Sequence, residues 1–220
     1  MLSPSTFKFL RDLKKNNNRD WFNINKGRYE EAKNDFEQFI DALIIRIGKF
    51  DKDIRLLEAK DCVFRIYRDV RFSKDKSPYK THLGAHIVAG GKRNEMNRAG
   101  YYIHISPNDC FLAGGAYSPP YDWINAIRKE IHYNSKELKK VLNGKDFKKY
   151  FGKIEGDKLA RPPKGYEKDH PEIELLKHKS LLAVHKLKEG QVVEKSFLAH
   201  CSNVFQALYP FDKYLNQSMD

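Results

Sequence analysis

HLGAHIVAGGKRNEMNRAGYYIHISPNDCFLAGGAY, residues 82–117, decides the fold. Residues 82–89 alternate, with Leu83, Ala85, Ile87 and Ala89 opposite His82, Gly84, His86 and Val88. A period of two is the signature of a strand with distinct faces. The glycine- and asparagine-rich run 89–100 has the composition of a long hairpin turn. GYYIHIS follows as a strand with Tyr101, Ile103 and Ile105 on one face and Tyr102 and His104 on the other. CFLAGGAY, residues 110–117, makes a further strand. Strands joined by short connections predict an antiparallel sheet.

Upstream, residues 62–72 carry the same period. Cys62, Phe64, Ile66, Val70 and Phe72 face one way and Arg65, Tyr67, Asp69 and Arg71 the other. Before that the period is helical. Ser3-Pro4 is an N-cap followed by proline, and Phe7, Leu10 and Leu13 share a face. A second helix is predicted over 26–49 from Tyr29, Ala32, Phe36, Ile40, Leu43 and Ile47. Downstream, Ser118-Pro119-Pro120 opens a helix with the stripe Trp123, Ile124, Ile127 and Ile131, and Asn134-Ser135 caps another. SLLAVHKL, residues 180–187, adds a strand. A closing helix over 192–215 is kinked or ended by Pro210. Helices, then strands, then helices predict one α+β domain over residues 1–220. Its centre is a mainly antiparallel sheet, flanked by N-terminal and C-terminal helices.

The composition, 40% hydrophobic and 13% aromatic, argues against a disordered chain. No apolar run approaches the roughly 18 residues of a membrane span, and MLSPSTFKFLRD lacks a secretory apolar core. The three cysteines, Cys62, Cys110 and Cys201, stand far apart without a CxxC, so a reducing cytoplasm is expected. The net charge of +12 is spread along the chain rather than gathered in a tail. A basic surface favours polyanions.

The densest charge lies in FRIYRDVRFSKDKSPYKTH, residues 64–82, with Arg65, Arg68, Arg71, Lys74, Lys76 and Lys80 against Asp69 and Asp75. Alternation places Arg68 on the apolar face, where a lone guanidinium costs several kcal/mol. It therefore needs a carboxylate (Glu58, Asp69 or a more distant acid), a bulge, or a bound anion. Neither GxxxxGK[ST] nor GxGxxG is present, so a phosphate site would be built from side chains. His82, His86 and His104 could meet on neighbouring strands, but no HExxH or HxH accompanies them, and no metal site is assigned. His82 and His104 are candidate acid–base groups, and neighbouring cations favour their neutral form. RAGYYIHI, residues 98–105, misses the RNP1 frame, because Ala99 and Gly100 stand where glycine and an aromatic belong. Tyr67, Tyr79, Tyr101 and Tyr102 remain candidates for stacking on bases. RPPKGYEKDHP, residues 161–171, is a loop that adds Arg161, Lys164 and Tyr166, with Asp169 placed to cap the helix that follows.

Five segments carry a resemblance: NNNRDWF (16–22), LEAKDCVFRIYRDVRFSKDKSPYKTH (57–82), GYYIHISP (100–107), RPPKGYEKDHP (161–171) and LLKHKS (175–180). Together they resemble the bacterial family known as domain of unknown function 2461, over about residues 5–215. The resemblance implies one full-length domain and brings no activity, cofactor or substrate with it. His86 and His178 depart from the family pattern, which weakens a His82/His86 metal pair.

The expectation is a cationic pocket for a phosphate-bearing ligand, a nucleotide or nucleic acid. Its binding residues would be Arg65, Arg68, Arg71, Lys74, Lys76, Tyr79, Lys80, Arg161, Lys164 and Tyr166. An enzyme on a small anionic substrate with His82 or His104 as acid–base is the first alternative. A structural or partner-binding protein with internally paired arginines is the second. No membrane partner is expected.

Overall fold

Ser3 opens the chain's first helix by accepting a hydrogen bond from the Ser5 backbone N–H, with Pro4 at the first helical position. In the computed structural model, which describes residues 1–219 apart from 92, 93 and 95, this helix is α1 (Pro4–Lys15). Then come α2 (Arg19–Ile24), α3 (Lys26–Ile47), a short 3-10 turn (Lys52–Ile54) and α4 (Ala59–Cys62). The strands are β1 (Leu83–Ile87), β2 (Gly100–Ile105) and β3 (Cys110–Ala116). Helices α5 (Tyr121–Leu142), α6 (Lys145–Tyr150) and α7 (Ile173–Leu176) precede β4 (Leu181–Leu187). The chain closes with α8 (Glu189–Val192) and α9 (Phe197–Gln217). The four strands form one antiparallel sheet in the order β1-β2-β3-β4, with helices before and after it in the chain. The fold class is α+β.

Contacts divide the chain into two compact units. The first comprises Met1–Ile87, Tyr102–Leu112 and Lys186–Ser202. Its core is set by the helical periods of α1 and α3, which pack on each other. α1 buries Phe7, Phe9, Leu10 and Leu13, and α3 buries Phe36, Phe39, Ile40, Leu43, Ile44 and Ile47. Each such side chain contributes roughly 1.5–3 kcal/mol by leaving water. Asn17 holds the segment that leads into β1. Its amide donates to the Tyr79 carbonyl at 2.9 Å and accepts from the Tyr79 N–H at 3.1 Å, as a pairing strand would.

The second unit comprises Val88–Tyr101, Ala113–His185 and Asn203–Asp220. Here α5 buries Trp123, Ile124, Ile127 and Ile131, and the Trp123 indole N–H donates to the Leu215 carbonyl at 3.3 Å. Gly115, at φ +108°, lets the sheet and α9 close up. A Cβ there would lie 2.1 Å from the Leu181 carbonyl oxygen and 3.0 Å from the Phe211 ring.

Four local expectations change. Residues 62–72 are no regular strand: past α4 they make only the antiparallel bridges Val63–Ala85 and Tyr67–Tyr79. Pro210 does not end the closing helix: it lies inside α9, which runs on to Gln217 because Phe211 and Leu215 keep burying its apolar face. The closing helix also starts later than residue 192, at Phe197. Asp169 does not cap α7, whose N-cap position is Glu172. Asn134 does interrupt α5, with non-helical angles of −125° and 32°. The hairpin turn 89–100 includes residues 92, 93 and 95, which lie outside the described residues.

Candidate ligand-binding site

Strand alternation in the first unit puts one set of rings on one face. Gly84 and His86 of β1, with His82 just before it, share their parity; Tyr102 and His104 share theirs on β2; Phe111 takes it on β3. The rings form a chain of contacts. Phe64 lies 6.3 Å from Tyr102, and Tyr102 lies 5.7 Å from Phe111. Phe111 stacks on His104 at 4.7 Å and 10°, and His104 lies 4.2 Å from His82. All five rings are half-buried. Tyr102 Oη and His104 Nδ1 hydrogen-bond at 3.0 Å. Gly84 makes room for that phenol, since a Cβ there would sit 3.1 Å from Tyr102 Oη.

Cations sit over two of these rings. Lys80 Nζ lies 5.2 Å from the Phe64 centroid and Lys186 Nζ 4.7 Å from that of Phe111, both within cation–π range. Lys186 also bridges to Asp109 at 3.0 Å. Burial, then His104 and Lys80, push the His82 pKa down to about 4. Burial alone takes His86 to about 4. Burial lowers that of His104 too, with Lys186 adding to it and Asp109 opposing it. At neutral pH these imidazoles are uncharged rings that can accept a proton or a hydrogen bond.

The arginine-rich segment behaves differently. Arg68 is paired with Asp75, and its guanidinium also reaches the Ser77 carbonyl at 3.2 Å. Arg71 is paired with Asp69 at 2.7 Å. Lys76 donates to the Val70 carbonyl at 3.0 Å. Arg65 and Lys74 are exposed and make no ion pair among the described residues. Tyr79 is only 4% exposed and stacks on Phe22 at 3.9 Å, so its ring packs the core. Tyr101 is 1% exposed, and Tyr67 is half exposed.

In the second unit, Arg161 and Lys164 are exposed, again without an ion pair among the described residues. Tyr166 is half-buried, 5.7 Å from His132 and 5.9 Å from His170. Burial raises its pKa, opposed by Arg128. His132 Nδ1 and His170 Nε2 lie 2.8 Å apart. Among the described residues no group of three His, Cys, Asp or Glu is arranged to hold a metal ion.

The sequence reading passed over Phe64 and Phe111 as site rings, and Lys186 as a cation. Phe111 was within reach of alternation: it is the one aromatic inside CFLAGGA, at the parity opposite Cys110 and Leu112. Its contact with His104 depends on strand register, which one strand's pattern does not state.

A family model described as a conserved hypothetical protein, DUF2461, matches residues 5–214 of this chain. The chain belongs to the DUF2461 family. No curated protein and no solved structure matches it. Among the described residues no helix is long and apolar enough to cross a membrane.

Proposed function

We propose that the ring-lined face of the first unit binds a nucleotide or a short single-stranded stretch of nucleic acid. A base stacks on the surface made by Phe111, His104 and Tyr102. A phosphate takes Lys80, and Lys186 when its exposed bridge to Asp109 exchanges. The observation that carries this reading is the continuous chain of five half-buried rings with cations over Phe64 and Phe111. Single-stranded binders combine the same two elements: aromatic platforms worth about 1–3 kcal/mol per stacked base and cations that follow the backbone.

The test is anisotropy of a labelled single-stranded oligonucleotide over a series of salt concentrations, with duplex of the same sequence as control. The reading expects single strands to bind more tightly than duplex and affinity to fall with salt by about 0.7 log units per log salt for each phosphate neutralised. Equal affinity for both forms, or no binding of either oligonucleotide or of a mononucleotide such as AMP, contradicts it.

One observation favours a second reading, an enzyme on a small anionic substrate. Two imidazoles 4.2 Å apart, both neutral at pH 7, place a proton acceptor beside Lys80. That reading requires turnover to disappear in His82→Gln while ligand binding persists.

A further inference from the structure

Helix α5 carries an arginine inside its apolar stripe. Arg128 lies one turn from Ile124 and from Ile131 and is 8% exposed. Its Nε–H donates to the Leu176 carbonyl at 3.0 Å, Nη1 to Asn125 Oδ1 at 3.1 Å and Nη2 to the His178 carbonyl at 3.3 Å. All three acceptors are neutral. No carboxylate pairs with Arg128 among the described residues. A guanidinium has five N–H donors, so two remain, one on each terminal nitrogen. Burying such a group without a counter-ion is costly, and the cost is relieved when an anion arrives.

Arg128 lines a cavity of about 440 Å³ in the second unit, within the size range of small-molecule sites. Lys179 lines it as well, exposed and also without an ion pair among the described residues. The one carboxylate in the lining, Asp157, is bridged to neither cation. Tyr117 and Tyr121, 73% and 75% exposed, belong to the same wall. Ser118 is held there with a positive φ of 44°, its N–H donating to Ser180 Oγ at 2.9 Å. A non-glycine residue in that region is strained and persists only where its surroundings fix it.

We propose that this cavity binds a small phosphate monoester bearing a ring, with the phosphate on Arg128 and Lys179 and the ring against Tyr117 and Tyr121. Two cations match a dianion better than they match a carboxylate. The planar guanidinium suits the oxygens of a phosphate, and Lys179 supplies a point charge. The site is independent of the ring-lined face of the first unit, because it shares no residue with it.

The experiment is calorimetric titration of the full chain with phenyl phosphate, benzoate and phenol at pH 7.5. The expected order is phenyl phosphate tightest, benzoate weaker, and phenol weakest by at least about tenfold, one charge-assisted contact being worth roughly 1.5–3 kcal/mol. Lys179→Gln is expected to weaken phenyl phosphate about tenfold on the same scale, and Tyr121→Ala by about threefold or more through lost ring contact. Arg128→Lys is expected to abolish binding with its circular dichroism unchanged. If that variant unfolds, Lys179→Gln and Tyr121→Ala decide alone. Phe111→Ala leaves phenyl phosphate binding unchanged, which separates this site from the proposed nucleic-acid face. Benzoate binding as tightly as phenyl phosphate overturns the assignment, as does wild-type affinity in both Lys179→Gln and Tyr121→Ala.

Discussion

The segment from Arg65 to Lys76 and the ring-lined face beside β1–β3 both lie in the first unit, and they carry charge in opposite ways. The segment has five cations, but Asp75 and Asp69 meet Arg68 and Arg71, while Arg65 and Lys74 stand in water. The face has few charges, yet its cations sit over rings fixed by packing and by the Tyr102–His104 hydrogen bond. A high local charge count in a sequence marks where solvated side chains are. A site also needs a surface of fixed shape, and here rings supply it. Exposed ion pairs contribute little to stability. Packed aromatics present the same surface before and after a ligand arrives.

The sharpest way to break this contrast is to remove a ring. Phe111→Ala takes away the surface that stacks on His104 and is expected to weaken single-stranded oligonucleotide binding by roughly tenfold, within the 1–3 kcal/mol of one stacked base. Anisotropy measures it, and circular dichroism confirms that the fold is kept. Next in size is Lys80→Ala, which is expected to flatten the salt dependence by about 0.7 in log–log slope, one phosphate's worth on a single strand.

Acid sharpens the comparison from another side. Between pH 6.5 and about 4 the unfolded chain protonates His82 while the folded chain does not. Stability is therefore full above pH 6.5 and falls as pH drops through that window. Burial does most to hold the His82 pKa down, His104 and Lys80 add to it, and Asp109 opposes them. His82→Gln is expected to shrink the difference in urea midpoint between pH 7.5 and pH 4.5. An unchanged difference would show that His82 is not held neutral by its surroundings. The smallest effect belongs to the arginine segment. The charge-neutral double variant Asp69→Ala/Arg71→Ala is expected to change oligonucleotide affinity by less than about twofold, as exposed pairs commonly do.

Much of the architecture was legible in the sequence because local periodicity reports which face is buried. β1 and β2 followed a period of two, β3 and β4 stood out as short apolar runs between turn residues, and α1 and α3 followed a helical period. The 62–72 run had the same alternation and still formed only two bridges, since strand pairing is a long-range property. Arg68 was expected on a buried strand face; it is instead half-exposed, and its partner, Asp75, comes from the loop that folds back on it. Pro210 inside α9 shows tertiary burial outweighing local propensity. The ring chain was half legible. His82, Tyr102 and His104 could be named from alternation, whereas Phe111 and Lys186 join them only through the register of β3 and β4. Arg128 broke its stripe just as Arg68 did and was readable by the same argument.

The most direct measurement sets the two regions side by side. Single-stranded oligonucleotide affinity is determined at one salt concentration for the wild-type chain, Phe111→Ala and Asp69→Ala/Arg71→Ala. The account predicts a loss of about tenfold for the ring variant and less than about twofold for the ion-pair variant. The reverse order would place the binding surface in the arginine segment and contradict it.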